Sequence, residues 1–413
     1  MPRNVSRRGL IVGGAAIAGA AALAWPKADK GGGHDAYFTD LSRTLTKAGI
    51  AEPVMVVDTQ RLAANIRAVS DTLGGRKALR VVVKSLPCHD LIDTIAAGVG
   101  TRRYMVFNQP MLAEMAARHP DGDYLMGKPL PVAAASAYYD RLGASAPGPQ
   151  WLIDTPERLD QYQAMAKAKG IALKVNFEID VGLHRGGFAA PEALAAALDR
   201  LDPSTRAAGL MGYDPHVAKI PWRSKALADV ERIYAAMAGT LRSKAPGDMT
   251  LNTAGSPTYK LHVDDAVATE VAVGSAFIKP TDFDIDTLDH HVPAAFIATP
   301  VLKVEQPAPI PGLEPLTGLT AWHDPNQRRA FFIQGGHWLA EPVSPPGLSL
   351  SGLYGRSSNQ ERWAGSVSVP LRPDDWVFFR PTQAEAVLLQ FGPLVAFDGR
   401  DAVSRWPVFP MSA

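Results

Sequence analysis

Several common features are scarce or missing in this sequence of 413 residues. Cys88 is its one cysteine, which excludes an internal disulfide and a cysteine-based zinc cluster. The 42 basic and 41 acidic residues leave a formal net charge of +1, so no overall field attracts nucleic acid or an acidic membrane surface. No repeat of fixed period occurs. Hydrophobic residues make up 46% of the chain, enough for a large core in two or three domains.

The first 35 residues differ in kind from the rest. Arg7 and Arg8 precede an uncharged stretch, residues 9–24, which ends in the small-x-small pattern Ala22-Leu23-Ala24. This stretch is short for a membrane span and long enough for the apolar core of a signal peptide. Paired arginines in front of it resemble a twin-arginine export signal, so we expect a periplasmic protein that contacts the membrane through this segment alone. An uncleaved anchor helix is the alternative.

From Pro53 onward, apolar strand-like runs alternate with stretches of helical periodicity. Examples are "PVMVVD" followed by "TQRLAANIRAVSDTLG", and "LRVVVK" followed by "CHDLIDTIAAGV". Eight or nine such pairs fill about 230 residues. Continuous apolar strands separated by helices indicate a parallel sheet covered by helices, and this number fits a closed (β/α)8 barrel over residues 36–288. An open, doubly wound sheet is the alternative.

After residue 288 the helical periodicity nearly disappears. Short β-type runs such as "RRAFFIQGG", "DWVFFRP" and "PLVAFDG" are separated by Pro, Gly and Asp. The pattern predicts a smaller C-terminal all-β domain over residues 289–413, with a linker near residues 287–293.

Lys84 follows three valines at the end of the predicted strand "LRVVVK". In a barrel of this type the carboxyl ends of the strands face the active site. An amine desolvated there loses proton affinity and becomes a nucleophile that can form a Schiff base. A strand-end lysine that simply reaches into solvent would give the same pattern.

Two later strands, in "TAGSPTYK" and "VAVGSAF", end in loops rich in small hydrogen-bond donors. The candidate ligands are Thr253, Gly255, Ser256, Thr258, Gly274 and Ser275. Each loop alone could be an ordinary turn, but two of them after late barrel strands predict a phosphate cup. A phosphate site opposite a strand-end lysine suits pyridoxal 5′-phosphate as cofactor.

Two further strand ends carry candidate functional residues. "EIDVGLHRGGF" contains Arg185, whose planar donor fork can fix an anionic oxygen. "LMGYDPH" contains Tyr213 and His216, which are candidate acid–base groups. A lone histidine at such a position is more often structural than catalytic.

These motifs, in this order, resemble the fold-type III pyridoxal-phosphate enzymes with the alanine racemase N-terminal barrel, and within them the D-threonine aldolase and D-serine dehydratase branch. The motifs that carry the resemblance are "VVVKS", "EIDVGLHRGG", "GLMGYDPH", "TAGSPTY" and "TEVAVGSAF". The resemblance implies a homodimer whose active site is completed at the interface, and a small amino-acid substrate. It further implies Lys84 as the Schiff-base lysine, the two Gly/Ser loops as the phosphate site, and Arg185 close to the cofactor's phenolic oxygen.

The sequence departs from that branch at two places. The branch normally carries a metal pair in the β-domain, where "RPTQAEAV" here has Gln383 and Glu385. Gln is a poor ligand and one carboxylate rarely holds a divalent ion alone, so we expect no bound metal. Glu385 could instead act as an acid or a base, or be an ordinary strand residue. Ala272 stands where alanine racemases present an arginine to the pyridine nitrogen, which predicts a weaker electron sink.

The resulting hypothesis is a pyridoxal-phosphate-dependent lyase, an aldolase or dehydratase acting on a D-3-hydroxy amino acid. Lys84 or His216 would move the proton. The first alternative is a periplasmic amino-acid racemase, in which Tyr213 or a residue of the partner subunit supplies the second base. The second alternative is a cofactor-binding carrier without catalysis. No nucleic-acid partner is expected.

Overall fold

The computed structural model describes residues 26–143, 145–309, 312, 314–352, 354–400 and 403–410. Most of the predicted export signal, residues 1–25, lies outside this set. The chain divides into two compact units. Of the described residues, one unit contains those from 26 to 54, 296 to 380 and 400 to 403, and the other contains those from 55 to 295, 381 to 399 and 404 to 410. No described helix is long and apolar enough to cross a bilayer.

The second unit is built around a closed barrel of eight parallel strands. The strands of this unit are β1 (Val54–Asp58), β2 (Ala78–Val82), β3 (Arg103–Val106), β4 (Asp123–Met126), β5 (Gln150–Ile153), β6 (Leu173–Ile179), β7 (Thr205–Gly212), β8 (Thr250–Thr253), β9 (Glu270–Val273) and β16 (Leu394–Phe397). Strands β2 to β9 neighbour each other in chain order, and β9 closes on β2 with Glu270 opposite Ala78. Strand β1 lies outside the barrel and pairs in parallel with β16.

Helices follow the strands, as the alternating hydrophobic periods predict. They are α2 (Thr59–Leu73), α3 (His89–Val99), α4 (Gln109–Arg118), α5 (Val132–Leu142), α6 (Pro156–Lys169), α7 (Pro191–Leu198) and α8 (Arg223–Lys244). Helix α6 shows why the boundaries fall where they do. The Thr155 side chain accepts a hydrogen bond from the Arg158 amide, Pro156 occupies the first turn, and Gly170 ends the helix in the left-handed conformation.

A buried ion cluster lies at the amino ends of the barrel strands. The Arg80 side chain is fully buried, and it binds Glu270 at 2.5 Å and Asp123 at 2.9 Å. Burial alone would lower the pKa of Arg80, but the two carboxylates outweigh it and raise the pKa. This end of a barrel serves stability rather than chemistry, so the cluster leaves the other end free for a site.

The first unit combines helices with a mostly antiparallel sheet. Its elements are α1 (Ala36–Lys47), β10 (Ala295–Glu305), α9 (Thr317–His323), β11 (Arg329–Gln334), β12 (Ala340–Ser344), β13 (Ser349–Leu350), β14 (Gln360–Gly365) and β15 (Trp376–Pro381), and the short strand β17 (Val403–Trp406) follows near the chain end. The strand order is β13-β14-β11-β10, and β15 pairs with β10 and β12. The Phe38 ring of α1 packs against Phe296 and Phe378.

The predicted fold class, a (β/α)8 barrel followed by a smaller β-rich part, is confirmed. The units do not follow the predicted boundaries 36–288 and 289–413 at two segments. Residues 26–54, which include α1, cluster with the sheet. Residues 381–399 cluster with the barrel, because β16 pairs with β1 and the turn before β16 contacts the barrel mouth.

Candidate active site

A cleft of about 580 Å³, counting its open mouth, lies at the carboxyl ends of the barrel strands. Its wall is formed by residues at or directly after β2, β3, β4, β7, β8 and β9. Seven of the ten predicted site residues line it, namely Lys84, Arg185, Tyr213, Gly255, Ser256, Gly274 and Ser275. Segments far apart in the sequence therefore meet in one space, as the barrel topology requires.

Lys84 lies in a single 3-10 turn, Val83–Ser85, directly after β2. Its side chain is 38% exposed and reaches into the cleft. The Nζ atom lies 4.8 Å from the centre of the Phe107 ring and 3.3 Å from Oε1 of Glu385. An aromatic face and a carboxylate thus both contact the ammonium group.

The two Gly/Ser loops are joined by one hydroxyl. Ser256 Oγ accepts hydrogen bonds from the backbone amides of Gly274 and Ala276, each at 3.1 Å. Both loops are buried, and Ser256 and Gly274 line the cleft. The two amides occupy the lone pairs of Ser256 Oγ and orient the hydroxyl, whose own proton is left to donate to an anion.

Two glycines in these loops are required by close approach. A Cβ atom on Gly255 would lie 2.4 Å from the Tyr213 ring, and one on Gly274 would lie 2.8 Å from Cβ of Val82. Ala254, between β8 and Gly255, adopts a left-handed φ of 64°. A strained residue directly before a glycine that close approach requires shows that the backbone of this loop is held in a specific shape.

A chain of hydrogen bonds runs from the second loop to Lys84. Ser275 Oγ lies 3.2 Å from Ser85 Oγ, and Ser85 Oγ donates to Oε1 of Glu385 at 2.7 Å. The same Oε1 contacts Lys84 Nζ. Ser85 was not among the predicted site residues, although it directly follows Lys84 in the sequence.

Arg185 and Tyr213 form one wall of the cleft. The guanidinium lies 4.8 Å from the centre of the Tyr213 ring and 3.6 Å from Glu178. Burial raises the pKa of Glu178, and the Arg185 charge opposes that rise. Burial also raises the pKa of Tyr213, so its phenol keeps its proton over a wider pH range than usual.

Behind this wall lies a buried ion triad, which is defined here as Asp214, His262 and Asp265. Asp214 accepts from the Thr258 hydroxyl at 2.7 Å and contacts His262 Nε2 at 2.7 Å, while His262 Nδ1 lies 3.5 Å from Asp265. Burial alone would lower the pKa of His262, but the two carboxylates raise it to about 9. The triad therefore ties the end of β7 to the loop that follows β8. Sequence reasoning missed it, although His262 and Asp265 stand three residues apart.

Three predicted site residues do not line the cleft. His216 lies against Gly182, 3.5 Å from where a Cβ atom would be, and its Nδ1 is buried without a partner among the described residues. Thr258 instead supports its own loop, because it accepts from the Gly255 amide and donates to Asp214. Thr253 is fully buried at the end of β8.

Gln383 and Glu385, at the two positions where the resembled branch carries metal ligands, differ in whether they line the cleft. Gln383 does not line the cleft, and it donates to Asp282 at 2.9 Å. Glu385 lines the cleft. Across the residues that the structure describes, no group of three or more His, Cys, Asp or Glu side chains could hold a metal ion.

Comparison with known families decides the relationship of this chain. Residues 57–281, more than half of the sequence, match the model of the alanine racemase N-terminal domain. The chain belongs to this family. Enzymes of this fold family are pyridoxal-phosphate-dependent and include racemases, aldolases and dehydratases that act on small amino acids, often as dimers.

Individual relatives are distant. An alanine racemase of Methylobacterium sp. (strain 4-46) is 26% identical over 199 residues, which cover 46% of this chain and 51% of that protein. The chain thus spans about half the length of the curated relative that it matches.

Three solved structures show the same fold. D-threonine aldolase from Filomicrobium marinum has a TM-score of 0.69 at 17% identity and covers 86% of this chain and 94% of its own. D-threo-3-hydroxyaspartate dehydratase from Delftia sp. HT23 has a TM-score of 0.69 at 15% identity, covering 87% and 97%. Alanine racemase from Bacillus anthracis has a TM-score of 0.67 at 12% identity, covering 87% and 98%.

The residues of the cleft fit the family's cofactor. An amine, a donor-lined anion site and two glycines that leave no room for side chains occur together in one alanine-racemase-type barrel. Asn252 also lines the cleft, and its side-chain oxygen is buried without a partner among the described residues, as expected where a ligand supplies the donor. Ala272 lines the cleft as well, so this wall presents a methyl group rather than a charged side chain.

Proposed function

We propose that this protein is a pyridoxal-phosphate-dependent lyase that cleaves or dehydrates a small D-3-hydroxy amino acid. The observation that carries this proposal is the position of Lys84, whose amine lies at the barrel mouth in the same cleft as the donor-rich loops. A lysine in that position and a phosphate site are the two features that cofactor binding needs.

Each part of the cofactor would have its own residues. Lys84 would bind it covalently, and the Ser256 hydroxyl, which the amides of Gly274 and Ala276 orient, would donate to its phosphate. Arg185 would bind an anionic oxygen, with Tyr213 fixing the guanidinium from one face. The Phe107 ring contacts the Lys84 amine on one side, at 4.8 Å from the ring centre. The bound cofactor supplies an electron sink for bond cleavage at the α-carbon.

The geometry of the acid–base groups favours a lyase over a racemase. A racemase needs bases on opposite sides of the α-carbon. Lys84 and Glu385 contact each other, so they do not form two separately placed bases. Burial raises the pKa of Tyr213 and so keeps its phenol protonated, which leaves it unable to accept a proton. Two of the solved structures that share the fold are named as an aldolase and a dehydratase of 3-hydroxy amino acids, which further supports this choice.

Racemization is the second candidate, since 46% of the chain matches an alanine racemase. In a homodimer, which we also propose, the partner subunit could supply the missing base. We further propose that the enzyme is exported to the periplasm through its arginine-containing N-terminal segment.

Absorbance and product assays on the full chain test the proposal. We expect visible absorbance from the bound cofactor, which Lys84→Ala abolishes. Lys128→Ala is the matched control, because Lys128 also follows a barrel strand but is exposed and does not line the cleft. Aldehyde or keto acid should form from D-threonine or D-serine. A change in the enantiomer ratio of D- or L-alanine with no such product would support the racemase. Cofactor absorbance with no reaction would support a carrier. Absence of the cofactor band would refute the lyase, the racemase and the carrier alike.

A further inference from the structure

Glu385 is the one carboxylate among the described residues that line the cleft. Its two oxygens differ in surroundings. Oε1 accepts from Ser85 and contacts the Lys84 ammonium group, while Oε2 has no hydrogen-bond partner among the described residues. One oxygen therefore fixes the carboxylate, and the other is left to bind a ligand.

The turn that carries Glu385 is anchored on both sides. Ala384, Val387 and Leu388 are buried, and the amides of Val387 and Leu388 both donate to the Ala384 carbonyl. The Asp282 amide donates to the Thr382 carbonyl, next to the Gln383–Asp282 contact. A charged group held this firmly beside a nucleophilic amine is more organised than an ordinary surface glutamate.

The chemistry of Glu385 selects a particular ligand group. An ionised carboxylate accepts hydrogen bonds and donates none, so it recognises a hydroxyl or an ammonium group and repels a second carboxylate. The Lys84 ammonium group already provides the cationic partner of Oε1. A hydroxyl on the carbon next to the reacting α-carbon is the donor that a 3-hydroxy amino acid adds to the groups common to all amino acids.

We propose that Glu385 is the catalytic base that takes the proton from the substrate's 3-hydroxyl and so commits the enzyme to aldol cleavage without a metal ion. This inference rests on the proposed function and names its reaction. The hydroxyl O–H bond breaks and its proton moves to Glu385. The O–H electron pair forms the C=O bond of the leaving aldehyde, the Cα–Cβ bond breaks, and its electron pair remains at the α-carbon.

The contact between Glu385 and Lys84 completes the proton balance. The α-carbon takes a proton from the Lys84 ammonium group, which gives glycine when the substrate is a 3-hydroxy amino acid. The proton held by Glu385 then passes to the Lys84 amine across the 3.3 Å contact. Both groups return to their starting state, and no oxidant, reductant or metal ion is consumed.

Glu385→Gln tests the role because it keeps size and removes the base. The holoenzyme variant should keep its visible cofactor absorbance. In deuterated water it should exchange the α-hydrogen of glycine within about tenfold of wild type, since that step uses Lys84. Release of acetaldehyde from D-threonine should fall about 10²–10⁴-fold in kcat, the range for loss of a general base. Glu192→Gln, the same exchange at an exposed residue of α7 outside the cleft, is the matched control and should leave all three readouts unchanged.

A second variant distinguishes loss of the base from misfolding of Glu385→Gln. Glu385→Ala should regain aldehyde release on addition of formate or acetate, in proportion to concentration, which a purely structural role would not allow. The proposal is overturned if Glu385→Gln loses exchange and cleavage equally, or if its cleavage stays within tenfold of wild type. It is also overturned if added formate or acetate does not rescue Glu385→Ala, or if the product is a keto acid. If wild type itself shows neither cofactor absorbance nor exchange, the proposed function fails instead.

Discussion

The buried triad of Asp214, His262 and Asp265 should make the stability of the barrel depend on pH in a defined window. The pKa of His262 is about 9 in the folded chain, against 6.5 for an ordinary histidine. A group that binds its proton more tightly when folded adds stability in full below its unfolded pKa and loses it as the pH rises through its folded pKa. The contribution should therefore disappear between pH 6.5 and about 9.

The magnitude follows from the two pKa values. At 1.36 kcal/mol for each pH unit, the rise from 6.5 to about 9 corresponds to about 3 kcal/mol of unfolding free energy. His262→Gln should be less stable than wild type by at least this amount near pH 6, because the variant also leaves two buried carboxylates without their cation. The difference between the two proteins should shrink by about 3 kcal/mol near pH 9.

Urea denaturation followed by circular dichroism at several pH values measures this difference. His89→Gln serves as control. Burial lowers the pKa of His89, so the contribution of His89 to the free energy of unfolding changes below pH 6.5 rather than above it. The reasoning is refuted if wild type and His262→Gln lose stability in parallel between pH 6.5 and 9. That result would mean that His262 is neutral in the folded chain.

Three further predictions concern the cofactor loop, metal dependence and export. Gly255→Ala should raise the cofactor dissociation constant by about tenfold in an apoenzyme titration, because its Cβ would lie 2.4 Å from the Tyr213 ring. Gly148→Ala is the control: its Cβ would meet no atom within 4 Å, so the dissociation constant should not change. Dialysis against EDTA should change aldehyde release by less than about twofold, and loss that manganese or zinc restores would contradict the carboxylate mechanism. Arg7→Lys with Arg8→Lys should leave the protein in the cytoplasm, and continued periplasmic recovery would refute the export proposal.

Much of the barrel could be predicted from the sequence because its signals are local. Apolar runs such as "VVV" before Lys84 mark buried parallel strands, and caps such as Thr155 and Gly170 mark the ends of a helix. The fold class is confirmed on these grounds. The cleft-lining positions of Lys84, Ser256 and Gly274 follow from one rule, that the carboxyl ends of barrel strands share a face.

Contacts between distant segments could not be predicted in the same way. Residues 381–399 read as part of the C-terminal domain, yet they cluster with the barrel, since pairing of β16 with β1 leaves no local trace in either sequence. The orientation of Glu385 toward Lys84 is a consequence of that arrangement.

The same limit applies to histidines. His216 seemed the better acid–base candidate because it follows a strand end, whereas His262, in a short 3-10 segment, gave no such signal. The structure has His216 outside the cleft lining and His262 bound between two carboxylates. Spacing along the chain shows which strand end a residue follows, but not whether its side chain turns toward the cleft or into the wall.

Covalent attachment of the cofactor to Lys84 is the central claim, and mass mapping tests it most directly. Borohydride treatment of the protein purified with pyridoxal phosphate converts a lysine–cofactor bond into a stable amine that survives proteolysis. We predict that the phosphopyridoxyl mass is found on the peptide that contains Lys84. Its presence on another lysine, or on no peptide of a preparation that shows cofactor absorbance, would contradict the account.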